Sequence, residues 1–143
     1  MSSRRLIVFA RYPEPGVAKT RLIPALGAHG ASQLQHQMTR HTLAIAEQFA
    51  ATHGIGLELR AAGCVAAMRD LYPGAWDGFP QGEGTLGERL NRAVAEAFAQ
   101  GAGPVVVIGS DCPALTREHL AAAFDALLEH DLVLGPEIGR AHV

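Results

Sequence analysis

Lysine is almost absent from this chain, because Lys19 is the single lysine among twelve cationic residues and the other eleven are arginines. Cysteine is nearly as scarce, with only Cys64 and Cys112 in 143 residues. Two cysteines give neither a disulfide framework nor the spacing of a zinc site, so we expect a reducing, cytoplasmic environment. Long apolar runs are missing too, since no segment approaches the roughly 20 residues that a membrane-spanning helix needs. We therefore expect no membrane partner.

An excess of positive charge is also absent, because the formal net charge is -2 at pH 7. A general nucleic-acid-binding protein carries a strong basic excess, so the composition argues against this class. The positive charge is concentrated locally, with five of the twelve cationic residues falling within the first 21 positions. A hydrophobic content of 48% with 18% charged residues is typical of a packed globular domain.

Apolar periodicity predicts an alternation of strands and helices. The runs Leu6–Ala10 and Val105–Ile108 are short and continuous, which is typical of strands buried on both faces of a parallel sheet. The predicted elements are a strand at 6–10, a helix at 32–53, a strand at 55–59, a short helix at 65–72, a helix at 86–101, a strand at 105–108, a helix at 116–130 and a strand at 132–134. This order predicts an α/β fold with a mostly parallel sheet covered by helices.

A single domain is predicted over residues 1–136, since neither a repeat nor a linker interrupts the pattern. The last predicted strand has only just left the core when the chain ends seven residues after Pro136. The tail Glu137–Val143 back-translates into the start of a common sequencing-library adapter, so we interpret it as non-native sequence. We expect the native gene to continue and the C-terminal part of the fold to be incomplete here.

The first candidate site is the stretch RYPEPGVAKTRL, residues 11–22, which follows the first predicted strand. Ligands of open α/β sheets bind beyond the carboxyl ends of the strands, where this loop begins. Two prolines and Gly16 restrict or bend the backbone, so that Arg11, Lys19 and Arg21 could converge on phosphate oxygens. We predict a phosphate-binding loop that includes Gly16. The alternative is a connecting loop with solvated surface charges.

Two familiar phosphate motifs fit the sequence poorly. A Walker loop ending at Lys19 would need glycines where the chain has Pro13 and Ala18, so kinase or ATPase chemistry is disfavoured. The stretch GEGTLG at 82–87 matches G-x-G-x-x-G and opens a helix. It follows no clear strand pattern in Trp76–Gln81 and lies far from the first strand-to-helix turn. A glycine-rich turn into a helix is therefore favoured over a dinucleotide fingerprint.

The second candidate site is Asp111 in the stretch IGSDCP, directly after the strongest strand signal. A carboxylate at this position is well placed to bind a divalent cation that in turn bridges phosphate oxygens. Mg²⁺ keeps several waters and accepts substrate phosphates as ligands, so one protein carboxylate is compatible with a site. The alternative is that Asp111 organises the turn before the next helix.

Four ordered blocks of the sequence resemble one known family. They are FARYPEPGVAKTRL, QGEGTLGERL, IGSDCPAL and DLVLGP, and they extend from residue 9 to residue 136. In this order they resemble the uncharacterised transferase family DUF2064, also described as the radical-SAM/selenodomain-associated transferase family. That family is similar to nucleotide-diphospho-sugar transferases, which have a GT-A, Rossmann-like fold, and to guanylyltransferases that activate phospholactate or molybdopterin. The resemblance implies a three-layer αβα fold and a nucleotide-sugar or nucleoside-triphosphate donor.

The resemblance also implies roles for individual residues. It puts Arg11, Lys19 and Arg21 on the donor phosphates and Asp111 near a Mg²⁺ or Mn²⁺ ion. It implies that a further set approaches the nucleotide or the acceptor: Gln81, Gly82, Gly87 and Arg89. For Arg89, a solvated charge on a helix is an equally good interpretation.

The chain departs from the family pattern in two ways. Most GT-A enzymes have a D-x-D pair of carboxylates, whereas Asp111 stands alone here, so the second metal ligand is unassigned. Family members also continue past Gly135-Pro136 into acceptor-binding elements. We predict a metal-dependent, glycosyltransferase-like enzyme of which this chain is the donor-binding part, inactive if it ends here, with an unidentified small-molecule acceptor and no assigned catalytic residue. The alternatives are a nucleotidyltransferase that releases pyrophosphate and a non-catalytic nucleotide-binding module.

Overall fold

The computed structural model describes residues 4–13, 23–110 and 115–127. Within these ranges strands and helices alternate along the chain. The strands are β1 (Arg5–Arg11), β2 (Gly56–Ala62), β3 (Asp77–Pro80) and β4 (Val105–Gly109). The helices are α1 (Ile23–His53), α2 (Val65–Leu71), α3 (Leu86–Ala99) and α4 (Arg117–Ala126). No helix in these ranges is both long enough and apolar enough to span a membrane.

The strands form one sheet in the order β3-β2-β1-β4, and every described pair is parallel. β1 lies in the middle, with Arg11 opposite Ala62 of β2 and Phe9 opposite Gly109 of β4. Parallel neighbours need crossover connections, and helices in the intervening segments supply them. The predicted mostly parallel α/β sheet is confirmed.

Helices cover both faces of the sheet. On one face Leu6 and Val8 of β1 are fully buried in a large apolar cluster to which α1, α2 and α4 contribute. On the other face Ile7 and Phe9 pack with residues of α3, including Ala93. Successive side chains of β1 therefore pack into two different cores, one on each face of the sheet. This explains why every residue from Leu6 to Ala10 is apolar. The predicted three-layer αβα arrangement is confirmed.

Apolar periodicity does not predict the edge strand β3. Asp77–Pro80 pairs in parallel with Glu58–Ala61 of β2. Proline has no N–H to donate to a neighbouring strand, so it is tolerated at the edge of a sheet, where one side of the strand is unpaired. The GEGTLG stretch therefore does follow a strand, but this strand is the third in the chain and lies at the sheet edge. The first strand-to-helix turn, where a dinucleotide fingerprint belongs, is elsewhere.

Helix α1 differs most from its predicted bounds. It begins at Ile23, nine positions before the predicted start, and is interrupted at Gly27, where φ is 74°. Gly54 follows the helix with a φ of 65°, a left-handed conformation at which helices commonly end. The middle part of α1 buries several polar side chains on one face of the helix. These buried polar residues are Ser32, Gln35, Thr39 and Thr42.

The C-terminal predictions are only partly covered. The predicted helix at 116–130 is observed as α4, which ends at Ala126. The predicted strand at 132–134 and the predicted non-native tail at 137–143 lie outside the described residues. The domain boundary at residue 136 therefore stays a prediction.

Candidate functional site at the carboxyl edge of the sheet

The carboxyl ends of the strands meet at one edge of the sheet. β1 ends at the exposed Arg11, β3 leads into the buried Gln81, and β4 leads into the buried Ser110. Because β1 and β4 are parallel neighbours, the segments that continue from them begin side by side. This edge is the candidate site.

The structure describes only some of the predicted site residues. Gly16, Lys19 and Arg21 lie outside the described residues, although the loop that carries them starts from β1. Asp111 lies outside them as well, directly after Ser110. The fold thus brings together the strand ends from which the cationic loop and the Asp111 turn begin. The positions of these four residues stay predictions.

Gln81 connects the ends of three strands. Its side chain is 5% exposed, and its Nε2 donates to the backbone oxygens of Ala10 at 3.2 Å and Arg60 at 3.1 Å. Its own N–H donates to the backbone oxygen of Ala61 at 2.9 Å. The first residue after β3 is therefore tied to both β1 and β2. Such a tie holds the site edge rigid, because buried donors and acceptors are costly to leave unpaired.

Two arginines of α3 hold the segment around Gln81. Arg89 Nη1 donates to Gln81 Oε1, and Arg89 Nε donates to the Thr85 backbone oxygen at 3.3 Å. Arg92 Nη1 donates to the Gln81 backbone oxygen at 2.7 Å, while its Nη2 donates to the Glu83 backbone oxygen at 2.9 Å. Arg92 therefore clamps the chain on both sides of Gly82.

The glycine-rich turn, residues 82–84, needs its glycines for backbone geometry. Gly82 has a φ of 81° and Gly84 a φ of 110°, conformations that side chains other than glycine adopt at a cost. A Cβ at Gly82 would lie 2.4 Å from Arg92 Nη1, so this position also lacks space. Gly87 differs, because the nearest atom to its Cβ would be Thr85 Oγ1 at 3.9 Å. The predicted approach of Gly82 and Gly87 to a ligand stays a prediction.

Helix α3 begins with a capping box. Thr85 Oγ1 accepts from the Glu88 N–H at 3.1 Å, and Glu88 Oε1 accepts from the Thr85 N–H at 3.0 Å. The hydrogen bond from the Thr85 backbone N–H favours the ionised carboxyl and lowers the pKa of Glu88 below its usual value. The cap fixes the start of the helix that carries Arg89 and Arg92.

The buried polar residues of α1, called here its buried polar stripe, hold the ends of β1 and β4. Ser32 Oγ donates to the Pro13 backbone oxygen at 3.1 Å, at the point where the cationic loop begins. Gln35 Nε2 donates to Ser110 Oγ at 3.4 Å, and Thr42 Oγ1 donates to the Ser110 backbone oxygen at 3.4 Å. One helix therefore anchors the starts of both predicted ligand-binding segments.

Sequence reasoning named Gln81 and Arg89 but missed Arg92 and the buried polar stripe of α1. A signal for Arg92 was present, because it lies three positions after Arg89 and so on a neighbouring position of the same helix surface. The stripe from Ser32 to Thr42 also recurs at helical spacing, but polar residues at that spacing are typical of a solvated face. Only the contacts with Pro13 and Ser110 reveal it as buried.

The described ranges hold no cluster of three or more histidine, cysteine, aspartate or glutamate side chains that could bind a metal ion. The predicted metal ligand Asp111 is not in these ranges. The metal therefore stays a prediction that rests on Asp111 and on the phosphates of a bound donor.

Comparisons with known proteins agree with this fold. A family model described as "Uncharacterized protein conserved in bacteria (DUF2064)" matches residues 42–138. A phosphoenolpyruvate guanylyltransferase of Chloroflexus aggregans is 33% identical over 129 residues, which cover 84% of this chain and 60% of the relative. The crystal structure of a proposed nucleotide-diphospho-sugar transferase from Desulfovibrio desulfuricans G20 superposes with a TM-score of 0.76 and 30% sequence identity.

These relatives are longer than the chain. The structural match covers 90% of this chain and 55% of the Desulfovibrio protein, so the chain spans little more than half the length of the proteins it resembles. The family match covers well over half of the chain and includes the glycine-rich turn, the Ser110 segment and helices α3 and α4. The chain therefore belongs to the DUF2064 family and has the fold of a nucleotide-diphospho-sugar transferase.

Proposed function

We propose that this chain is the donor-binding part of a metal-dependent transferase that takes a nucleotide sugar as its donor. The cationic loop with Arg11, Lys19 and Arg21 would bind the diphosphate of the donor. Asp111 would hold Mg²⁺ or Mn²⁺, with the remaining ligands supplied by donor phosphates and water.

One observation carries this proposal. β1 and β4 are adjacent and parallel, so the two segments that bear the cationic loop and Asp111 leave the sheet from neighbouring strand ends. A positively charged segment on one side and a carboxylate on the other is the arrangement that a metal-bound diphosphate requires. The fold shared with the Desulfovibrio protein supports a nucleotide donor at this edge.

The chemistry of the transfer follows from the charge of the leaving group. In glycosyl transfer, the oxygen of an acceptor hydroxyl forms a bond to the anomeric carbon and releases its proton to water, while the bond from that carbon to the diphosphate oxygen breaks. The leaving nucleoside diphosphate gains negative charge, which the arginines and Lys19 would stabilise. A divalent ion held by Asp111 would supply further stabilisation of that charge. The loop also holds the donor in a single orientation.

A second candidate function is nucleotidyl transfer, which the 33% identity with a guanylyltransferase favours. In that reaction an acceptor oxygen attacks the α-phosphorus of a nucleoside triphosphate and pyrophosphate leaves. The same cationic loop would then stabilise pyrophosphate. The two functions therefore differ in the product released.

The test uses the full-length gene product. Calorimetry and thermal shift with UDP-sugars, GDP-sugars and GTP, each with and without Mg²⁺ or Mn²⁺, identify the donor. Lys19→Ala and Asp111→Asn should each weaken donor binding by roughly ten-fold or more, because each removes a charge-assisted contact. Release of nucleoside diphosphate indicates glycosyl transfer, and release of pyrophosphate indicates nucleotidyl transfer.

Arg40→Ala is the matched control, since Arg40 is an exposed arginine of α1 outside the candidate site. It should leave donor affinity unchanged. If Lys19→Ala and Asp111→Asn bind the donor as well as the unaltered protein does, the site assignment is wrong. Metal-dependent binding without turnover in the full-length protein would instead indicate a non-catalytic nucleotide-binding module.

A further inference from the structure

We infer that Gln81 and Arg92 are positioning residues of the candidate site, which act on a bound anion through Arg89 and through the glycine-rich turn. The inference rests on the proposed function, because it specifies how one part of the same site is held. It gives Gln81 a role different from the direct ligand contact that the family resemblance implies.

The hydrogen bonds of Gln81 determine the orientation of its amide. Two backbone carbonyls, those of Ala10 and Arg60, accept from Nε2, so the nitrogen must face them. The oxygen Oε1 is then directed at Arg89 Nη1. Both amide hydrogens and the amide oxygen are used inside the protein, and the residue is 5% exposed. The side chain of Gln81 therefore orients Arg89 and has no donor left to offer a ligand.

The described hydrogen bonds of Arg89 go to uncharged groups. Its acceptors, Gln81 Oε1 and the Thr85 backbone oxygen, are neutral groups. Within the described residues, no ion pair joins Arg89 to a carboxylate. The contacts use Nε and Nη1 and leave Nη2 on a partly exposed side chain. A guanidinium that neutral groups orient, and that no carboxylate of the described residues neutralises, is suited to bind an anionic oxygen.

Arg92 acts on the backbone of the turn. Its two donations, to the Gln81 oxygen at 2.7 Å and the Glu83 oxygen at 2.9 Å, bridge the positive-φ residue Gly82. A turn of this kind is intrinsically adaptable, because glycine adds little conformational restriction. The clamp selects one conformation before a ligand arrives, which lowers the entropic cost of binding. The anion that Arg89 binds is, in this view, a phosphate of the donor.

The experiment is a double-mutant cycle in the full-length protein, with inorganic pyrophosphate and GTP as ligands in calorimetry. Arg89→Ala and Gln81→Leu should each weaken binding by roughly ten-fold, the effect of losing a hydrogen bond to a charged group. Because Gln81 acts through Arg89, the double variant should bind no more weakly than Arg89→Ala alone. Arg40→Ala, in which an exposed arginine of α1 is removed, is the control and should leave both affinities unchanged. Effects of Gln81→Leu and Arg89→Ala that multiply in the double variant would overturn the inference.

A second measurement does not depend on ligand binding. The ¹⁵N resonance of the Arg89 Nε–H should be sharp in the unaltered protein and shifted or broadened in Gln81→Leu. Arg92→Met, at a partly exposed position, should speed amide hydrogen exchange in residues 82–84, and it serves as the test if Gln81→Leu fails to fold. If neither ligand binds the unaltered protein, these signals alone decide the inference. The proposed function is then tested separately, by the screen with UDP-sugars and GDP-sugars. An unchanged Arg89 resonance, or unchanged exchange in the turn, overturns the corresponding half of the inference.

Discussion

Arg60 Nε donates to Glu58 Oε2 at 2.9 Å, although the two residues lie on the same strand, β2, and both are buried. The pair extends in two directions: Arg5 Nη1 lies 3.2 Å from Glu58 Oε1, and Arg60 Nη1 lies 3.0 Å from Glu96 Oε2 of α3. The guanidinium of Arg60 also lies over the ring of Phe79, 4.8 Å from its centroid. This network joins β1, β2, β3 and α3 on the sheet face that α3 covers.

Removal of Glu58 should be far more damaging than removal of Glu96. Glu58→Ala leaves Arg60 buried without its main partner, and breaking a buried pair typically costs about 3–5 kcal/mol. Glu96 is 45% exposed, so Glu96→Ala should cost only about 1 kcal/mol. Urea unfolding of both variants measures the difference. Equal losses of stability would show that the buried pair does not hold this face together.

Gly82→Ala should destabilise the protein through two separate effects. The φ of 81° strains an alanine, at about 1 kcal/mol, and its Cβ would lie 2.4 Å from Arg92 Nη1. In an Arg92→Ala background only the first effect remains, so Gly82→Ala should cost less there. Thermal unfolding of the two single variants and the double variant measures the coupling.

Gly87→Ala is the matched control for that cycle. Gly87 lies within α3, and the nearest atom to its Cβ would be 3.9 Å away. Alanine at such a helical position should stabilise the protein by about 0.5–1 kcal/mol. In the cycle of Gly82→Ala with Arg92→Ala, losses of stability that simply add up would contradict the close approach of these two residues.

Tyr72 should make stability fall at high pH. Burial raises the pKa of Tyr72 to about 12 from a model-compound value of 10.0, and its hydroxyl lies 3.0 Å from His36 Nδ1. The folded state therefore holds the phenolic proton more tightly than the unfolded state does. Stability should decline between pH of about 10 and about 12, where only the unfolded chain loses this proton.

The variant Tyr72→Phe isolates this contribution from that of other groups. Urea unfolding at pH 8 to about 11.5 should show a stability advantage of the unaltered protein over Tyr72→Phe that shrinks as pH rises. If the difference in stability between the two proteins does not change with pH, Tyr72 has the same pKa in the folded and the unfolded state.

Thr42→Val should loosen the attachment of the Ser110 segment. Thr42 is 1% exposed and donates to the Ser110 backbone oxygen at 3.4 Å. Valine has nearly the same shape without the donor, so the variant should lose about 1 kcal/mol of stability. Hydrogen exchange near residue 110 should rise as well.

Thr52→Val is the control, since Thr52 is exposed and donates to the Gln48 oxygen within its own helix at 2.8 Å. It should change stability by less than about 0.5 kcal/mol. Equal effects of the two substitutions would argue against a special role for the buried polar stripe of α1.

Elements with strong local periodicity could be predicted from the sequence. The apolar runs in β1 and β4 and the spacing in α3 agree with the structure to within two residues at each end. β3 could not be predicted, because Asp77, Gly78 and Pro80 have little intrinsic preference for a strand. Its pairing with Glu58–Ala61 decides its conformation, and that pairing depends on β2, which lies on the other side of helix α2 in the chain and so outside any local pattern.

The same distinction applies to the site. Residue types and their order were enough to identify the glycine-rich turn, the cationic loop and Asp111 as candidates. Gln81 became an anchor only through Ala10, which is 71 positions away, and Ser110 became fixed only through α1, with Gln35 lying 75 positions away. Periodicity is a local property, so it determined which segments are strands and helices. The partners of a buried polar group are chosen when crossover helices bring distant segments together, so only the tertiary structure decided which residues hold the site in place.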